Sequence, residues 1–407
     1  MIHRTHVVRL VVLISIWLAC SQINRSFASD CTVTSVGFTP INNLGAGFYS
    51  PSGTPFQGGL YPGGANLIPA AHGAVGRARA LAIRTLPKYV LLSIGMSNTT
   101  QEYCSAGGGL PCDAWTFMGQ SAVDSRVNTA QLRMVNGALG GQAAATWDSP
   151  TDPNYDRVRD NVLAPQGHVE ADVWALWIKV ANPGPTVKLP NAGADAYLLE
   201  AATANILRAA KIRYPNATVA FVSSRIYAGY AGYPIPTVSA LNPEPYSYES
   251  GFSMKWLIEA QINQMSGGPV DPIAGDMNYN TVVPWVAWGP YLWADGTMPR
   301  SDGLTYICTN LDADGTHPSM TGEQKVGTML RNFMLTDKAA TPWFRKCELA
   351  DMNVDGVWTT ADIASFVTTV LQPGFATAAQ LCAADCNEDG LVNGRDVGPF
   401  VKVLLGP

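Results

Sequence analysis

The sequence is poor in charge, in histidine and in closely spaced cysteine pairs. Asp, Glu, Lys and Arg make up only 14% of the 407 residues, and the formal net charge is −5 at pH 7. Without a basic field the chain lacks the electrostatic footprint of a nucleic-acid-binding protein, so we expect no nucleic-acid partner. No C-x-x-C spacing occurs among the 8 cysteines, and the whole chain has 5 histidines. These counts disfavour cysteine-based redox and metal sites.

Long apolar runs are confined to the N-terminus. Basic residues between positions 3 and 9 precede the apolar stretch 10–20, which is too short to span a bilayer. Ser26-Phe27-Ala28 places small residues at the −3 and −1 positions of a cleavage site, which predicts a signal peptide over residues 1–28. We therefore expect no membrane span in the mature chain and a secreted, extracellular or cell-surface location. Lipidation at Cys20 is the alternative to ordinary cleavage.

Export permits disulfides, and seven of the 8 cysteines lie beyond the expected signal peptide. Cys104 and Cys112 flank a glycine-rich loop and are predicted to pair with each other. Cys347 precedes an acidic loop, and either Cys382 or Cys386 is predicted to pair with it. The odd number leaves one thiol free or bonded outside the chain, and the sequence alone leaves the connectivity open.

Two twelve-residue acidic loops lie near the C-terminus, and their starting positions, 351 and 385, are 34 residues apart. Both place oxygen-bearing side chains at loop positions 1, 3, 5 and 12 and glycine at position 6, the pattern that surrounds Ca²⁺. Position 7 contributes a backbone carbonyl. Chance Asp/Asn/Gly-rich turns are the alternative, which two loops in register disfavour. The predicted ligands are Asp351, Asn353, Asp355, Val357 and Asp362 in the first loop, and Asp385, Asn387, Asp389, Leu391 and Asp396 in the second.

An apolar pattern at helical spacing follows each loop, over 363–371 and 397–404, and no comparable helix precedes the first loop. Loop then helix, twice, with Asp at position 12, resembles the dockerin type I module over about Cys347 to Leu405. The resemblance implies a small all-α domain with two calcium ions that binds a cohesin-like protein or a cell-surface partner noncovalently. Loop positions 10 and 11 differ from the Ser-Thr pair known best and leave the partner open; they are Thr360, Ala361, Gly394 and Arg395.

Apolar strands alternate with helical patterns in the larger part of the chain. Strands are predicted over 89–94, 173–180 and 218–223, and helices over 195–213 and 320–333. This alternation predicts an α/β fold with three layers (α/β/α) and a mainly parallel sheet covered on both faces. The segment 227–299, rich in Gly, Pro, Tyr and Trp, is expected to form long loops over one end of the sheet. The expected division is a signal peptide (1–28), an α/β domain (29–340), a linker (341–346) and the calcium-binding module (347–407).

Two polar motifs stand where such a sheet would hold a site. Ser97 directly follows the first apolar strand, where its hydroxyl can face the carboxyl edge of the sheet; an ordinary turn serine is the alternative. Asp314 precedes His317 by three residues on a turn entering a helix, a spacing that can place the carboxylate beside imidazole Nδ1. A helix N-cap beside a surface histidine is the alternative there. Candidate oxyanion donors are the amides of Gly140 or Gly141 and the side chain of Asn182.

This order of motifs, with Asp314-Gly-Thr-His317-Pro-Ser-Met-Thr-Gly322 as its most specific element, resembles the SGNH (GDSL-type) hydrolases from about residue 89 to 333. Gly95-Met-Ser97-Asn98 is similar to the G-Q-S-N motif of sialate-O-acetylesterase-like and acetylxylan-esterase-like members. The resemblance implies an SGNH-like α/β/α fold with Ser97 as nucleophile, His317 as general base and Asp314 as its orienting acid. Two motifs near the candidate oxyanion donors differ from the family pattern. The usual G-D-S reads G-M-S, and the usual G-x-N-D reads Val180-Ala-Asn182-Pro.

The expected activity is therefore that of a secreted serine ester hydrolase that removes O-acetyl groups from carbohydrate without a catalytic cofactor. A non-catalytic glycan-binding or surface scaffold protein is the main alternative, and a lipase or phospholipase is a further one. Glu244 and Glu249 are not placed to form a glycosidase pair. Arg225 and Arg300 could meet an acidic substrate, but solvated or structural ion pairs are the preferred interpretation. The aromatic residues of the segment 227–299 are interpreted mainly as loop core rather than sugar-stacking faces.

Overall fold

The structure is a computed structural model that describes residues 29–231 and 241–406. The expected signal peptide and the alternative lipidation at Cys20 lie outside these residues. Within them, no helix combines the length and the apolar character needed to cross a membrane.

Five parallel strands form the central sheet in the order β4-β3-β5-β6-β7, and a short antiparallel hairpin precedes them. All residues of β3, β6 and β7 are buried, which explains why these strands are uninterrupted apolar runs. The hairpin strands are β1 (Phe48–Tyr49) and β2 (Phe56–Gln57), and the sheet strands are β3 (Tyr89–Gly95), β4 (Leu132–Asn136), β5 (Val173–Lys179), β6 (Val219–Val222) and β7 (Trp285–Trp288).

Helices cover both faces of this sheet. On one face, Val90, Leu92 and Ile94 of β3 join a core with α6 and α7, while Tyr89 and Leu91 point to a second core with α2, α4, α8 and α9. The three-layer α/β prediction is therefore confirmed for the larger part of the chain. The helices are α1 (Ile41–Leu44), α2 (Ala70–Arg84), α3 (Ser97–Tyr103), α4 (Phe117–Val123), α5 (Pro153–Arg157), α6 (Asp195–Arg213), α7 (Tyr246–Met265), α8 (Met320–Thr336), α9 (Thr341–Phe344), α10 (Ala361–Leu371), α11 (Ala378–Ala384) and α12 (Val397–Leu405).

The strand order locates a crevice at one edge of the sheet. The chain crosses from β3 to β4 on one side of it, and then crosses back past β3 to β5 on its other side. The direction of the crossovers therefore reverses beside β3. In open parallel sheets, ligands bind outside the carboxyl ends of the strands at such a reversal point. Gly95 at the end of β3 lies in register with Lys179 at the end of β5. The residues that follow these two positions therefore face the crevice.

One expectation about the α/β domain was only partly correct. The segment 227–299 was expected to form long loops, but it also contains the twenty-residue helix α7 and the edge strand β7. Fourteen of the α7 residues are buried, on all sides of the helix, so its sequence lacks the one-sided apolar periodicity of a surface helix.

The disulfides agree with the cysteine analysis and extend it. Cys104 pairs with Cys112, and Cys382 rather than Cys386 pairs with Cys347. A third bond joins Cys31 to Cys308, 277 positions apart, a separation that gives no local sequence signal. Cys386 remains a buried free thiol.

The C-terminal part packs around its own small core. The rings of Phe366 in α10 and Phe400 in α12 stack with their centroids 3.7 Å apart. Helix α9, within the segment predicted as the linker, is buried in the second core of the α/β domain. Salt bridges also join the two parts of the chain: Arg77 pairs with Glu348, Arg84 lies 3.7 Å from Asp351, and Arg345 lies 2.5 Å from Glu388.

Candidate active site

Ser97 lies at the carboxyl edge of the sheet, as predicted from its position after a strand. It is the first residue of α3, two residues after the end of β3. Gly95 permits this sharp change of direction, because a Cβ there would lie 2.3 Å from both the Lys179 carbonyl oxygen and Thr99 Oγ1. The Thr99 hydroxyl donates to that same carbonyl at 2.5 Å. The nucleophile candidate is therefore fixed between β3 and β5, at the reversal point of the sheet.

His317 is positioned by a tight loop just before α8. The Asp314 carboxylate accepts the backbone N–H groups of Thr316 and His317, both at 2.9 Å. Gly315 has a φ of +68°, and a Cβ there would lie 2.1 Å from the carbonyl oxygen of Tyr230, so glycine is required. The Asn98 side chain donates to the Thr316 carbonyl at 2.9 Å and joins this loop to the start of α3.

The structure brings Ser97, His317 and Asp314 into direct contact. Ser97 Oγ lies 2.8 Å from His317 Nε2, and His317 Nδ1 lies 2.5 Å from Asp314 Oδ2, although the serine and histidine are 220 positions apart. With the proton on Nδ1 donated to the carboxylate, Nε2 is free to accept the serine proton. Burial acts to raise the pKa of Asp314, but hydrogen bonds from the imidazole and the two amides outweigh it and the pKa is lowered. A charged carboxylate beside imidazole Nδ1 stabilises the imidazolium form.

The three candidate oxyanion donors also gather at Ser97. A Cβ built on Gly140 would lie 3.9 Å from Ser97 Cβ, and Gly141 and Asn182 line the same cleft as Ser97. One N–H of the Asn182 amide donates to Asp195 Oδ1 at 3.0 Å, which leaves the second N–H for another acceptor. Asp195 at the start of α6 was not among the predicted site residues, although it opens the predicted helix that follows Asn182.

The cleft beside Ser97 has a volume of about 260 Å³ and mixed polar and apolar walls. Met96, Pro183 and Leu241 contribute apolar surface, and Arg225 contributes a cation. Sequence reasoning preferred a structural ion pair for Arg225. Its position three residues after the end of β6 was the missed signal, because that strand ends at the same sheet edge.

Other candidates from the sequence are structural. Burial raises the pKa of Glu244 to about 7, and this carboxylate accepts the Trp293 indole N–H at 2.8 Å and two backbone amides. Glu249 accepts the Leu189 amide at 3.1 Å and is likewise buried. Arg300 pairs with Asp302 at 2.6 Å. Five large rings of this region are 0% exposed, which supports their interpretation as core; they are Tyr227, Tyr230, Tyr248, Trp285 and Trp293.

The two C-terminal acidic loops share one internal hydrogen-bond pattern. The Asp351 carboxylate accepts the N–H groups of Asp355 and Gly356, both at 3.1 Å. Asp385 accepts the equivalent pair of the second loop at 3.1 and 3.0 Å. Gly356 and Gly390 have φ angles of +80° and +84°, the left-handed region that favours glycine. The repeated sequence pattern therefore produces a repeated turn conformation.

The acid at position 12 of each loop is a buried carboxylate bonded to the backbone. Asp362 and Asp396 are 0% exposed; Asp362 accepts the Met352 amide at 2.8 Å, and Asp396 accepts the Asn393 amide at 2.9 Å. The salt bridges of this part of the chain, as far as it is described, involve Glu348, Asp351 and Glu388 instead. Buried charges are normally paired or bound to metal. Asp362 Oδ2 and both oxygens of Asp396 each accept one backbone N–H, which leaves each of them a second lone pair. The donor chemistry therefore suits Ca²⁺.

Over residues 29–231 and 241–406, no three side chains of His, Cys, Asp or Glu are grouped closely enough to hold a metal ion. The predicted ligand set of each loop also uses an Asn side chain and a backbone carbonyl. Calcium binding at Asp351–Asp362 and Asp385–Asp396 therefore stays a prediction.

The chain matches no protein-family model and no curated protein. Solved structures similar over 61% of its length include a GDSL-like lipase from Parabacteroides merdae, with 15% identity, a TM-score of 0.34 and 97% of that chain covered. A salicylyl-acyltransferase from a tetracycline biosynthetic pathway has 14% identity, a TM-score of 0.31 and 55% coverage. An extracellular lipase from Streptomyces rimosus has 13% identity, a TM-score of 0.30 and 99% coverage. At these values the likeness assigns no activity to this chain.

Proposed function

We propose that the chain is a secreted serine ester hydrolase that removes short acyl groups, most simply O-acetyl groups, from carbohydrate. The observation that carries the proposal is the continuous contact from Ser97 through His317 to Asp314, at 2.8 and 2.5 Å, on the wall of a cleft. These three side chains match the nucleophile, base and orienting acid that the SGNH resemblance implies. The three disulfides among the described cysteines support export to an oxidising compartment.

The reaction follows from this geometry. His317 Nε2 takes the Ser97 hydroxyl proton as the oxygen attacks the ester carbonyl carbon, and Asp314 stabilises the resulting imidazolium. The imidazolium then gives its proton to the departing sugar oxygen, which leaves an acyl group on the serine. Water attacks this acyl-enzyme with His317 again as base, and the free acid is released. The cycle needs no cofactor for catalysis.

The negative oxygen of each tetrahedral intermediate needs preset hydrogen-bond donors. The candidates are the Ser97 amide, the amide of Gly140 or Gly141, and the free N–H of Asn182. Such a donor typically lowers the barrier by about 3 kcal/mol. The Asn182–Asp195 hydrogen bond holds the asparagine amide beside the cleft without using its second N–H.

The dimensions of the cleft favour a short acyl group. About 260 Å³ is at the lower end of ligand-binding cavities and suits an acetyl group better than a long fatty-acyl chain. A second depression of about 340 Å³ shares Asn182 and Pro183 with the cleft and continues over the loop that follows β5. This second space can receive a bulky alcohol such as a sugar unit.

The C-terminal part, in this proposal, is a calcium-stabilised dockerin-like module that connects the enzyme to a cohesin-like protein or a cell-surface partner. Apolar side chains on α10 and α12 support a docking role, because Ile363, Val367, Val401 and Leu405 are 41%, 47%, 45% and 81% exposed. They flank the stacked rings of Phe366 and Phe400, so the exposed surface continues from the module core. Exposed contiguous apolar surface commonly marks an interaction site.

The test is acetate release by the wild-type chain and by Ser97→Ala on acetylated xylan and on an aryl acetate. We expect wild-type hydrolysis of both and a loss of at least about 10⁴-fold in the variant, with no change in melting temperature. Ser301→Ala, which removes an exposed hydroxyl outside the cleft, is the matched control and keeps full activity. Equal hydrolysis by Ser97→Ala contradicts the proposal.

A further inference from the structure

Arg225 is a buried cation on the wall of the catalytic cleft. It is 2% exposed and lines the same space as Ser97 and His317. A buried guanidinium normally has carboxylate or carbonyl partners that compensate for its lost hydration. The acceptors around the Arg225 guanidinium therefore indicate whether its role is structural.

The described residues provide only a weak partner. The one side-chain contact of the guanidinium is from Nη1 to the thioether sulfur of Met96 at 3.8 Å, and Arg225 Nε is buried without a hydrogen-bond partner in residues 29–231 and 241–406. Within those ranges no Asp or Glu forms a salt bridge with Arg225. A thioether is a poor acceptor, so the donor capacity of this group is largely unused.

The nearby carboxylates are already engaged. Glu102, Glu244 and Asp314 are the acids whose charges act on Arg225. Both oxygens of Glu102 accept from Lys179 at 2.5 Å, and Asp314 accepts from the imidazole and two amides. Glu244 accepts three hydrogen bonds at 2.8, 3.0 and 3.0 Å. These acids act on the charge of Arg225 from a distance, but within residues 29–231 and 241–406 none of them accepts a hydrogen bond from its guanidinium.

Arg300 shows how a structural arginine is held in the same domain. It is 6% exposed, its Nε and Nη2 donate to both oxygens of Asp302 at 2.9 and 2.6 Å, and its Nη1 donates to two backbone carbonyls. Arg225 has comparable burial without comparable partners, and it lines a cleft that Arg300 does not. The difference points to an acceptor that arrives with the substrate.

We propose that Arg225 binds a carboxylate of the substrate, so that the preferred ester carries a negative charge close to the scissile bond. This inference rests on the proposed function and names the substrate class of the same site. A planar guanidinium donates two parallel N–H groups to a carboxylate, which supplies both affinity and orientation. The carboxylate can belong to the sugar, as in a uronic acid, or to the acyl group, as in the half-ester of a dicarboxylic acid.

Two matched substrate pairs separate these sources. The first pair is an acetylated methyl glucuronoside and the acetylated methyl glucoside of the same pattern, and the second is the half-succinate and the pentanoate of one methyl glucoside. In one pair we expect kcat/KM to be at least about tenfold higher for the charged member, mainly through a lower KM. Arg225→Gln should abolish this preference, so that the ratio of kcat/KM between the charged and the neutral member falls to about one. Arg225→Lys keeps the charge without the planar fork and should retain part of the preference.

A binding measurement separates this inference from the proposed activity. Calorimetry with Ser97→Ala, which cannot turn the esters over, should show at least about tenfold tighter binding of the charged member and no discrimination after Arg225→Gln is added. Discrimination in binding without any wild-type hydrolysis supports the role of Arg225 and overturns the esterase proposal. Hydrolysis with equal use of both members of both pairs overturns the role of Arg225. An unchanged preference for the charged member in Arg225→Gln or in Arg225→Lys also overturns the role of Arg225. If Arg225→Gln does not fold, Arg225→Lys provides this test.

Discussion

The α/β domain and the C-terminal module hold their buried carboxylates in different ways. In the α/β domain, Glu102 accepts two hydrogen bonds from Lys179, and Asp314 accepts one from His317. Burial raises the pKa of Glu102 even beside Lys179, and it raises the pKa of Glu200 to about 8 with the charges of Asp271 and Glu259 contributing.

Two fully buried acids of the module, at position 12 of each loop, are instead surrounded by backbone N–H groups. Asp362 and Asp396 are 0% exposed, and both are held by amides of their own twelve-residue loops. Amide donors orient a carboxylate without neutralising it. In the α/β domain, Glu102 and Asp314 thus have cationic or imidazole partners within the domain, whereas Asp362 and Asp396 have no such partner among the described residues, as the calcium prediction requires.

Among the substitutions that remove a hydrogen bond to a carboxylate, replacement of Asp314 should cause the largest loss of activity. Asp314→Asn removes the acceptor that holds imidazole Nδ1–H and the negative charge that stabilises the imidazolium, so kcat should fall by about 10⁴-fold. Steady-state hydrolysis of an aryl acetate measures this. Asp312→Asn makes the same chemical change two residues away, on a carboxylate that does not bond the imidazole, and should stay within about threefold of wild type. Equal losses in both variants contradict a specific role for Asp314.

The next prediction concerns Asp195, a carboxylate that positions the candidate oxyanion donor Asn182, whereas Asp314 positions the candidate base. Asn182→Ala removes the amide that Asp195 holds beside the cleft, and kcat should fall by about 10²- to 10³-fold with little change in KM. Asn191→Ala, on the same loop and bonded only to the Lys188 carbonyl, is the matched control. A change confined to KM would show that Asn182 contacts the ground state and not the oxyanion.

The module half of the comparison predicts two calcium ions per chain. Titration calorimetry of the calcium-free full chain should count two sites, and Asp362→Asn or Asp396→Asn should each remove one. Glu388→Gln alters a loop position outside the predicted ligand set and should keep both. Calcium at 100 times its Kd should stabilise the module by about 2.7 kcal/mol for each occupied site, while kcat on an aryl acetate stays unchanged. No calcium binding in the wild-type chain would remove the module proposal and leave the triad untouched.

The smallest expected effect is a dependence of the free energy of unfolding on pH, which arises from a buried acid of the α/β domain. Between its ordinary value of 4.5 and about 8, Glu200 keeps a proton in the folded state that it loses on unfolding. The unfolded state then binds fewer protons, so the free energy of unfolding decreases as pH rises through this window, by at most about 1.4 kcal/mol per pH unit for this group. Denaturant unfolding at pH 5, 6.5 and 8 measures the slope. Glu200→Gln should flatten it, and a slope identical to wild type would contradict the assignment.

Local features were the ones that the sequence could predict. Three features depend mainly on residues that are close in sequence: the twelve-residue loops, the Asp314-to-His317 turn and the strand before Ser97. Their patterns can therefore be recognised in the sequence without knowledge of the fold. The central strands and the Cys104–Cys112 bond were predictable for the same reason.

Features that depend on distant partners were not predictable. Helix α7 is buried on all sides and lacks one-sided periodicity, and β7 lies within the Gly-, Pro- and aromatic-rich segment whose rings were interpreted as loop core. The bond between Cys31 and Cys308 spans 277 positions. The expectation of an ion pair held for Arg300, whose partner Asp302 is two residues away. It failed for Arg225 because Lys179 occupies the nearby Glu102, which only the folded chain reveals.

The most direct test of the central claim is to find the serine that a fluorophosphonate ester modifies, by mass spectrometry of the digested protein. One adduct is expected, on Ser97, because this is the only hydroxyl in the described part of the chain that has a base at 2.8 Å oriented by a carboxylate. The adduct should disappear in His317→Ala. Absence of any adduct in the folded wild-type chain, or stoichiometric modification of a different serine, would contradict the central claim.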